Sequence, residues 1–263
     1  MAGPPSSVLA SFGLRGPAEQ LPGGEGDAYR VGEAVVKRML DEDEAAWIQQ
    51  LQADLRPDGF RVAEPLRAAD GAWVADGWTA SAFVDGLTTA SPDWDLIAEV
   101  GERFTTAADR CTPADSSPLV RRHHRWAIAD RVAWGEEEVA LRPDAAAIHR
   151  RLRAMATSPD HRRHVVHADL SGNVFLDPSG TPVVLDVSPA LRARGWARAI
   201  VVADATTWLG APVGLAVDLA SSDVGRDLLA RALVFRLVAE QLAPDGDDPA
   251  MLPPYAHLLD AVG

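Results

Sequence analysis

Two hydrophobic patterns divide the chain: a two-residue alternation early, and a helical repeat from Trp94 onward. Residues 28–31 and 34–39 are strand-like runs on either side of a Gly32-Glu33 turn, which predicts a β-hairpin. Residues 73–75 and 78–84 predict a second pair of strands around Asp76-Gly77, because apolar side chains alternate along residues 78–84. The first third of the chain is therefore predicted to be mostly antiparallel sheet.

Helical spacing of apolar residues predicts the remaining elements. An early helix is expected over residues 41–51, with acidic residues in its first turn, where the helix dipole favours them. Later helices follow from Leu96, Ile97, Val100 and Phe104, and from the apolar stripes near residues 148–155, 196–209 and 228–242. Glu136, Glu137 and Glu138 are interpreted as a solvated helix face. The second part of the chain is therefore predicted to be mostly helical.

Between these helices lies a stretch of short strands that end in polar side chains. Val165-Val166 leads into His167, residues 174–176 and 182–185 are apolar, and residues 177–180 form a Pro/Gly turn. This order predicts strand, tight loop, strand, turn and strand. Asp169, Asn173 and Asp186 stand at the strand ends, and their oxygen atoms are the ligand type that Mg²⁺ prefers, with water and phosphate completing the shell.

Composition narrows the classes of function. Of 263 residues, 47% are hydrophobic and 24% charged, as in an ordinary globular protein. The formal net charge of −13 argues against nucleic acid or an anionic membrane as the main partner, and leaves a cationic small molecule open as one option. The single cysteine fits a reducing cytoplasm, and no signal peptide or membrane span is recognised. We therefore expect a cytoplasmic protein.

The order His167, Asp169, Asn173 and Asp186 resembles the catalytic core of the protein-kinase-like fold, and especially its aminoglycoside-phosphotransferase branch of small-molecule kinases. The resemblance implies an α+β, bilobal protein with a small antiparallel-sheet N-lobe over residues 1–86 and a mostly helical C-lobe over residues 87–263. It also implies ATP and Mg²⁺ as cofactors, and transfer of the γ-phosphoryl group to a hydroxyl of a small molecule.

The same resemblance assigns roles in the C-lobe. Asp169 would be the catalytic base that orients the acceptor hydroxyl, and His167 would brace the loop. Asn173 and Asp186 would hold Mg²⁺ on the nucleotide phosphates. Asp204, the single inward-capable acid of an apolar helix, would support the catalytic loop from below.

In the N-lobe, the resemblance implies a nucleotide site. Lys37 would bind the α- and β-phosphates, and an acid of the following helix would pair with it, for which Glu44 is chosen and Glu42 is the fallback. The remaining implied contacts are made by backbone, from a glycine flap and from the hinge that binds adenine: Gly23, Gly24, Gly26, Phe83, Val84 and Asp85.

Two departures from the family pattern leave alternatives open. Ala168 replaces a glycine, and Asn173 follows Asp169 by four positions, one fewer than in protein kinases. Gly172 is the residue that permits the tighter turn. The short loop leaves open a kinase-like protein that binds nucleotide without turnover. The chain also lacks a long activation segment after Asp186, which favours a small-molecule kinase over a natural-product peptide kinase acting on Ser or Thr.

Overall fold

Eleven strands and ten α-helices are found in the part of the chain that the structure describes. This computed structural model describes residues 3–22, 26–112, 116–157, 162–244, 246 and 248–263. The strands are β1 (Glu19–Gln20), β2 (Ala28–Val31), β3 (Ala34–Arg38), β4 (Arg61–Val62), β5 (Pro65–Leu66), β6 (Trp78–Ala82), β7 (Thr88–Thr89), β8 (Arg163–His167), β9 (Val174–Leu176), β10 (Pro182–Val184) and β11 (Pro189–Ala193). The helices are α1 (Ser6–Ser11), α2 (Glu42–Asp54), α3 (Trp94–Ala108), α4 (Ser117–Val120), α5 (Arg125–Ala133), α6 (Pro143–Met155), α7 (Trp196–Thr207), α8 (Gly214–Ala220), α9 (Asp223–Gln241) and α10 (Pro253–Val262), with a short 3₁₀ helix (Pro249–Met251) before α10.

The N-terminal sheet contains the predicted hairpin. Its strand order is β1-β2-β3-β6-β5, and β2, β3 and β6 pair antiparallel. Gly32 has φ +59° at the turn, a conformation that favours glycine. Val36 of β3 is fully buried in the small core beneath the sheet. Because side chains alternate along a strand, its neighbour Lys37 points to the opposite face, where the site described below lies.

The C-terminal part is helical, as expected, and is built around α9. Leu229, Leu233 and Leu237 of this helix are completely buried, and they pack in one large cluster with Trp196 of α7 and Tyr255 of α10. The cluster also contains residues of α5, α6 and α8. Helix α9 is therefore the inner support of the C-terminal part.

The N-terminal and C-terminal parts are joined by strand pairing and by a common hydrophobic cluster, in addition to the chain connection. Strand β4 pairs in parallel with β10, so that Arg61 lies opposite Val183 and Val62 opposite Val184. Leu51 of α2 is buried in the same cluster as Phe104 of α3. The division into two lobes between residues 86 and 87 stays a prediction. Strand β4, which precedes this division, belongs to the same sheet as β10, which follows it.

Two local predictions were wrong. Residues 73–75 do not form a strand, and only an isolated bridge joins Ala75 to Trp78. Trp73 packs beneath the Arg67 guanidinium, 3.6 Å from its ring centre, and donates a hydrogen bond to Gln50 of α2 (3.0 Å), so tertiary contacts take the place of a strand ladder. The three glutamates 136–138 lie between α5 and α6, outside any helix. Among the described residues, no helix is long and apolar enough to cross a membrane.

Candidate active site

Lys37 and Asp186 meet at the junction of the two parts. Lys37 extends from β3, and its Nζ lies 2.8 Å from Oδ2 of Asp186, which follows β10. Burial alone lowers the pKa of Lys37, but the charge of Asp186 and its hydrogen bond outweigh this effect, so that the pKa of Lys37 is raised. The site therefore holds a protonated amine against a half-exposed carboxylate.

His167 ties the two polar loops together from below. The imidazole is completely buried at the end of β8, and burial lowers its pKa against the opposing charges of Asp169 and Asp186. Its Nδ1 accepts a hydrogen bond from the backbone N–H of Asp169 (3.1 Å). Its Nε2 lies 2.8 Å from the backbone carbonyl oxygen of Asp186 and 3.3 Å from the backbone nitrogen of Ser188. The geometry fits the bracing role predicted for His167.

The short loop still brings Asn173 back to Asp169. Gly172 has φ +83°, which permits a turn that other residues rarely adopt. The Asn173 amide Nδ2 donates to the backbone carbonyl of Asp169 (2.8 Å) and approaches its carboxylate Oδ2 (3.3 Å). The backbone N–H of Leu185 donates to the Asn173 carbonyl (3.1 Å), which fixes Asn173 beside the segment that carries Asp186.

A buried arginine that the sequence analysis overlooked reaches the same carboxylate. Arg236 of α9 donates from Nη2 to Oδ1 of Asp169 (2.8 Å), while Nε and Nη2 donate to the two oxygens of Asp204 on α7 (2.6 Å each). Asp204 thus reaches the loop only through Arg236, and its supporting role stays a prediction. Two arginines within the apolar run of α9, Arg231 and Arg236, were the signal in the sequence, since a buried arginine requires acidic partners.

Glu44 faces inward, but its partner differs from the prediction. Its carboxylate forms an ion pair with Arg122, with Oε1 and Nε 2.7 Å apart, and each of the two side chains is only 13% exposed. Burial raises the pKa of Glu44 and lowers that of Arg122, against the opposing pull of each partner's charge. Lys37 is held by Asp186 instead, because Glu44, at the start of α2, lies against the segment that follows α4.

The structure describes four of the six residues predicted to contact the nucleotide through their backbone. Gly26 has φ +74° and its carbonyl accepts a hydrogen bond from the Gln20 side chain, whereas Gly23 and Gly24 lie outside the described residues. The backbone N–H of Phe83 donates to the Glu33 carbonyl (2.8 Å), so this donor is already used within the N-terminal part. Val84 and Asp85 follow β6 in a half-exposed to exposed segment, and adenine binding there stays a prediction.

A cavity of about 1020 Å³ opens in front of these side chains. Lys37, Asp169, Asp186 and Arg236 are among its lining residues, together with residues of α5 and β11. Its walls carry carboxylates and guanidinium groups in similar numbers, many of them paired, as in the bonds from Arg192 to Glu136 (2.8 and 2.9 Å). The overall negative charge is therefore not concentrated here.

Solved structures with the same architecture identify the fold. An aminoglycoside phosphotransferase in a ternary complex with AMP-PNP and hygromycin B superposes with a TM-score of 0.63 and 16% identity, over 97% of this chain and 96% of that chain. A choline kinase from Streptococcus pneumoniae superposes with a TM-score of 0.59 and 10% identity, over 97% and 96% of the two chains. This chain has a protein-kinase-like fold. No protein-family model matches the sequence, and no curated protein matches it.

The kinase-like fold confirms the predicted fold class, and the site fits the nucleotide and metal that the resemblance implies. Among the described residues, no group of three or more His, Cys, Asp and Glu side chains is arranged to hold a metal by itself. Mg²⁺ does not require such a group when phosphate oxygens and water complete its shell. Asp186 with the amide oxygen of Asn173 is a suitable donor pair for this mode of binding, and Lys37 is a suitable partner for phosphate.

Proposed function

We propose that this protein is an ATP- and Mg²⁺-dependent phosphotransferase that moves the γ-phosphoryl group to a hydroxyl of a small molecule. The observation that carries the proposal is the convergence of Lys37, Asp169 and Asp186 on one cavity within a kinase-like fold. These residues are far apart in sequence, and each supplies a chemical group that phosphoryl transfer needs: a cation for phosphate, a carboxylate for metal and a carboxylate for the acceptor.

Each side chain of the site would have its own role in phosphoryl transfer. Lys37 would exchange its bond to Asp186 for the nucleotide phosphates, because its ammonium is a point charge that binds phosphate well. Asp186 and Asn173 would hold Mg²⁺, which neutralises charge on the phosphate oxygens when it is bound. Asp169 would accept the hydrogen bond of the acceptor hydroxyl and orient its oxygen towards the γ-phosphorus. The cavity would exclude bulk water from the acceptor.

The acceptor is a small molecule in this proposal, since the cavity has the volume of an ordinary ligand pocket. Solved structures of similar fold include a choline kinase and a phosphotransferase complexed with hygromycin B. Choline and hygromycin B therefore belong in a first panel of candidate acceptors. The cavity's mixed charges give no preference for a cation, and neutral and anionic alcohols belong there too. ATP as donor would place the reaction in the cytoplasm.

The proposal is tested by measuring ATP binding and ATP consumption separately. Isothermal titration calorimetry with ATP, with and without Mg²⁺, should show binding that depends on the metal. ADP formation should then appear with at least one acceptor of the panel and should disappear in Asp169→Ala. Absence of nucleotide binding would refute the proposal. Metal-dependent binding without ADP formation, with any acceptor or with water, would favour the kinase-like binding protein instead.

A further inference from the structure

Arg236 makes a bond that its own burial does not require. The guanidinium is 2% exposed, and Asp204, itself 1% exposed, accepts from both Nε and Nη2. This bidentate pair already gives a buried cation a charged partner. The additional bond from Nη2 to Asp169 reaches a carboxylate that is 44% exposed, which water could solvate without help. The third contact is therefore better explained by orientation than by solvation.

The surroundings of Arg236 keep its guanidinium in place. The guanidinium carbon lies 4.9 Å from the centre of the Phe235 ring, 5.1 Å from that of Trp208 and 5.4 Å from that of Trp126. Rings at these distances attract a cation and limit its movement. With Asp204 fixing two nitrogens and aromatic rings around it, Arg236 presents one N–H to Asp169 from a rigid support.

Helix α9 contains a second buried arginine that serves as an internal comparison. Arg231 is 7% exposed and donates to Asp227, four residues earlier on the same helix, and to the Ala133 carbonyl. These two partners are a carboxylate of its own helix and a backbone oxygen of α5. Arg231 does not line the cavity, whereas Arg236 does. The two arginines share burial and chemistry but differ in access to the site.

We propose that Arg236 is the positioning residue of the phosphoryl acceptor site: it fixes Oδ1 of Asp169, so that Oδ2, which lies 3.3 Å from Nδ2 of Asn173, faces the acceptor hydroxyl. This inference rests on the function proposed above. In the step, the acceptor oxygen bonds to the γ-phosphorus, and the bond from that phosphorus to the β,γ-bridging oxygen breaks. ADP leaves with the electron pair, and the hydroxyl proton passes to Oδ2 of Asp169. Arg236 keeps its bond to Oδ1 throughout and exchanges no proton.

The experiment compares two double variants that each replace a buried ion pair by apolar side chains, a change that proteins often tolerate. Arg236→Met with Asp204→Leu removes the support of Asp169, and Arg231→Met with Asp227→Leu is the matched control on the same helix. ADP formation is measured against ATP and acceptor concentration, with water as acceptor if none is identified. We expect kcat to fall about 100-fold in the first variant, because a misplacement of about 1 Å has an effect of that size.

Three further kinetic measurements distinguish a positioning role of Arg236 from a general loss of structure. KM for ATP should change less than about twofold in the Arg236 variant, because nucleotide contacts are on Lys37 and Asp186. The Arg231 variant should keep kcat within about twofold of the wild type. Arg236→Lys should recover part of the rate, since an ammonium can still donate to Asp169. Equal losses of kcat in the two double variants, or full turnover without Arg236, would overturn the proposal.

A structural readout decides the inference even if the proposed function fails. If the wild type consumes no ATP with any acceptor or with water, the phosphotransferase proposal falls. Crystal structures of the wild type and both double variants then test positioning directly. The Asp169 carboxylate should keep one orientation in the wild type and the Arg231 variant, and should change rotamer or lose order in the Arg236 variant. An unchanged carboxylate there would overturn the inference.

Discussion

Lys37 and Asp186 are 149 positions apart in the sequence, yet Nζ of the one and Oδ2 of the other are separated by 2.8 Å. The pair closes the junction between a strand of the N-terminal sheet and the segment that follows β10. Because the lysine is held there by a carboxylate that a metal would compete for, nucleotide and metal binding are expected to depend on one another. This coupling is the basis of the first prediction.

Asp186→Ala should weaken binding of Mg·ATP at least about tenfold, since the variant loses the only carboxylate proposed to hold the metal. Removal of Mg²⁺ with EDTA should have the same effect on the wild type, and no further effect on the variant. Titration calorimetry with and without EDTA measures both. Binding of equal strength in all four conditions would show that Asp186 does not serve a metal.

Asp169→Ala should lower the rate of phosphoryl transfer by a factor of about 100 or more, the range found for loss of a general base. The affinity for Mg·ATP should stay within about twofold of the wild type, because the carboxylate is assigned to the acceptor and not to the nucleotide. ADP formation and calorimetry on the same preparation are the measurements. Full turnover by this variant would contradict the role given to Asp169.

Asp204→Asn should destabilise the fold by about 3–5 kcal/mol, because it removes the charge that balances the buried Arg236. Asp227→Asn, which weakens the other buried pair of α9, should destabilise by a comparable amount. Urea unfolding followed by tryptophan fluorescence measures the free energy of unfolding of each. Only Asp204→Asn should also slow turnover, and a loss of turnover in both variants would point to a general effect of instability.

Glu44 and Arg122 should show an interaction energy of about 1–3 kcal/mol in a double-mutant cycle built from Glu44→Gln and Arg122→Met. The reason is that both side chains are largely buried and 2.7 Å apart, so water screens the pair weakly. The free energy of unfolding is measured for the wild type, both single variants and the double variant. Strictly additive effects would contradict the pair, and Mg·ATP affinity in the same variants tests whether Glu44 also serves Lys37.

The wild type should lose stability as the pH falls below about 6.5, in part through His149. Burial lowers the pKa of His149, with Arg153 and Arg150 adding to the effect, so below pH 6.5 the unfolded chain takes up the proton first. Stability is therefore complete above the unfolded pKa and declines towards the folded one, by less than about 1.4 kcal/mol per pH unit for a half-buried group.

The matched measurement compares urea midpoints at pH 7.5 and pH 5.5 in the wild type, His149→Gln and His123→Gln. The difference between the two pH values should shrink in His149→Gln alone, because His123 is exposed. Identical differences in all three proteins would show that His149 does not contribute.

Local sequence patterns were sufficient for much of the fold. The hairpin of β2 and β3 followed from alternation on either side of Gly32, and α3 followed from its apolar stripe. Strand β8 was predicted from the short apolar run at Val165 and Val166, and both side chains are buried in the structure. The prediction of a strand over residues 73–75 was wrong because Trp73 hydrogen-bonds to α2 and packs against Arg67. No local sequence pattern reveals these contacts.

Contacts between distant segments account for what the sequence did not reveal about the site. Glu44 was expected to face inward and does, but its partner Arg122 lies in a connection without periodicity. The bond from Arg236 to Asp169 spans 67 positions and two different elements. The isolated acid of α7 and the two arginines within the apolar run of α9 indicated buried partners, but only the packing of the two helices shows that Asp204 belongs with Arg236.

The parallel pairing of β4 with β10 bears on whether the protein can be divided. A polypeptide ending at residue 86 would carry β4 with its hydrogen-bonding edge open, and one starting at residue 87 would leave β10 without that neighbour. Each fragment would therefore expose a strand edge that is paired in the intact chain. A cut between residues 86 and 87 would thus remove the parallel neighbour of β10, the strand that leads directly to Asp186.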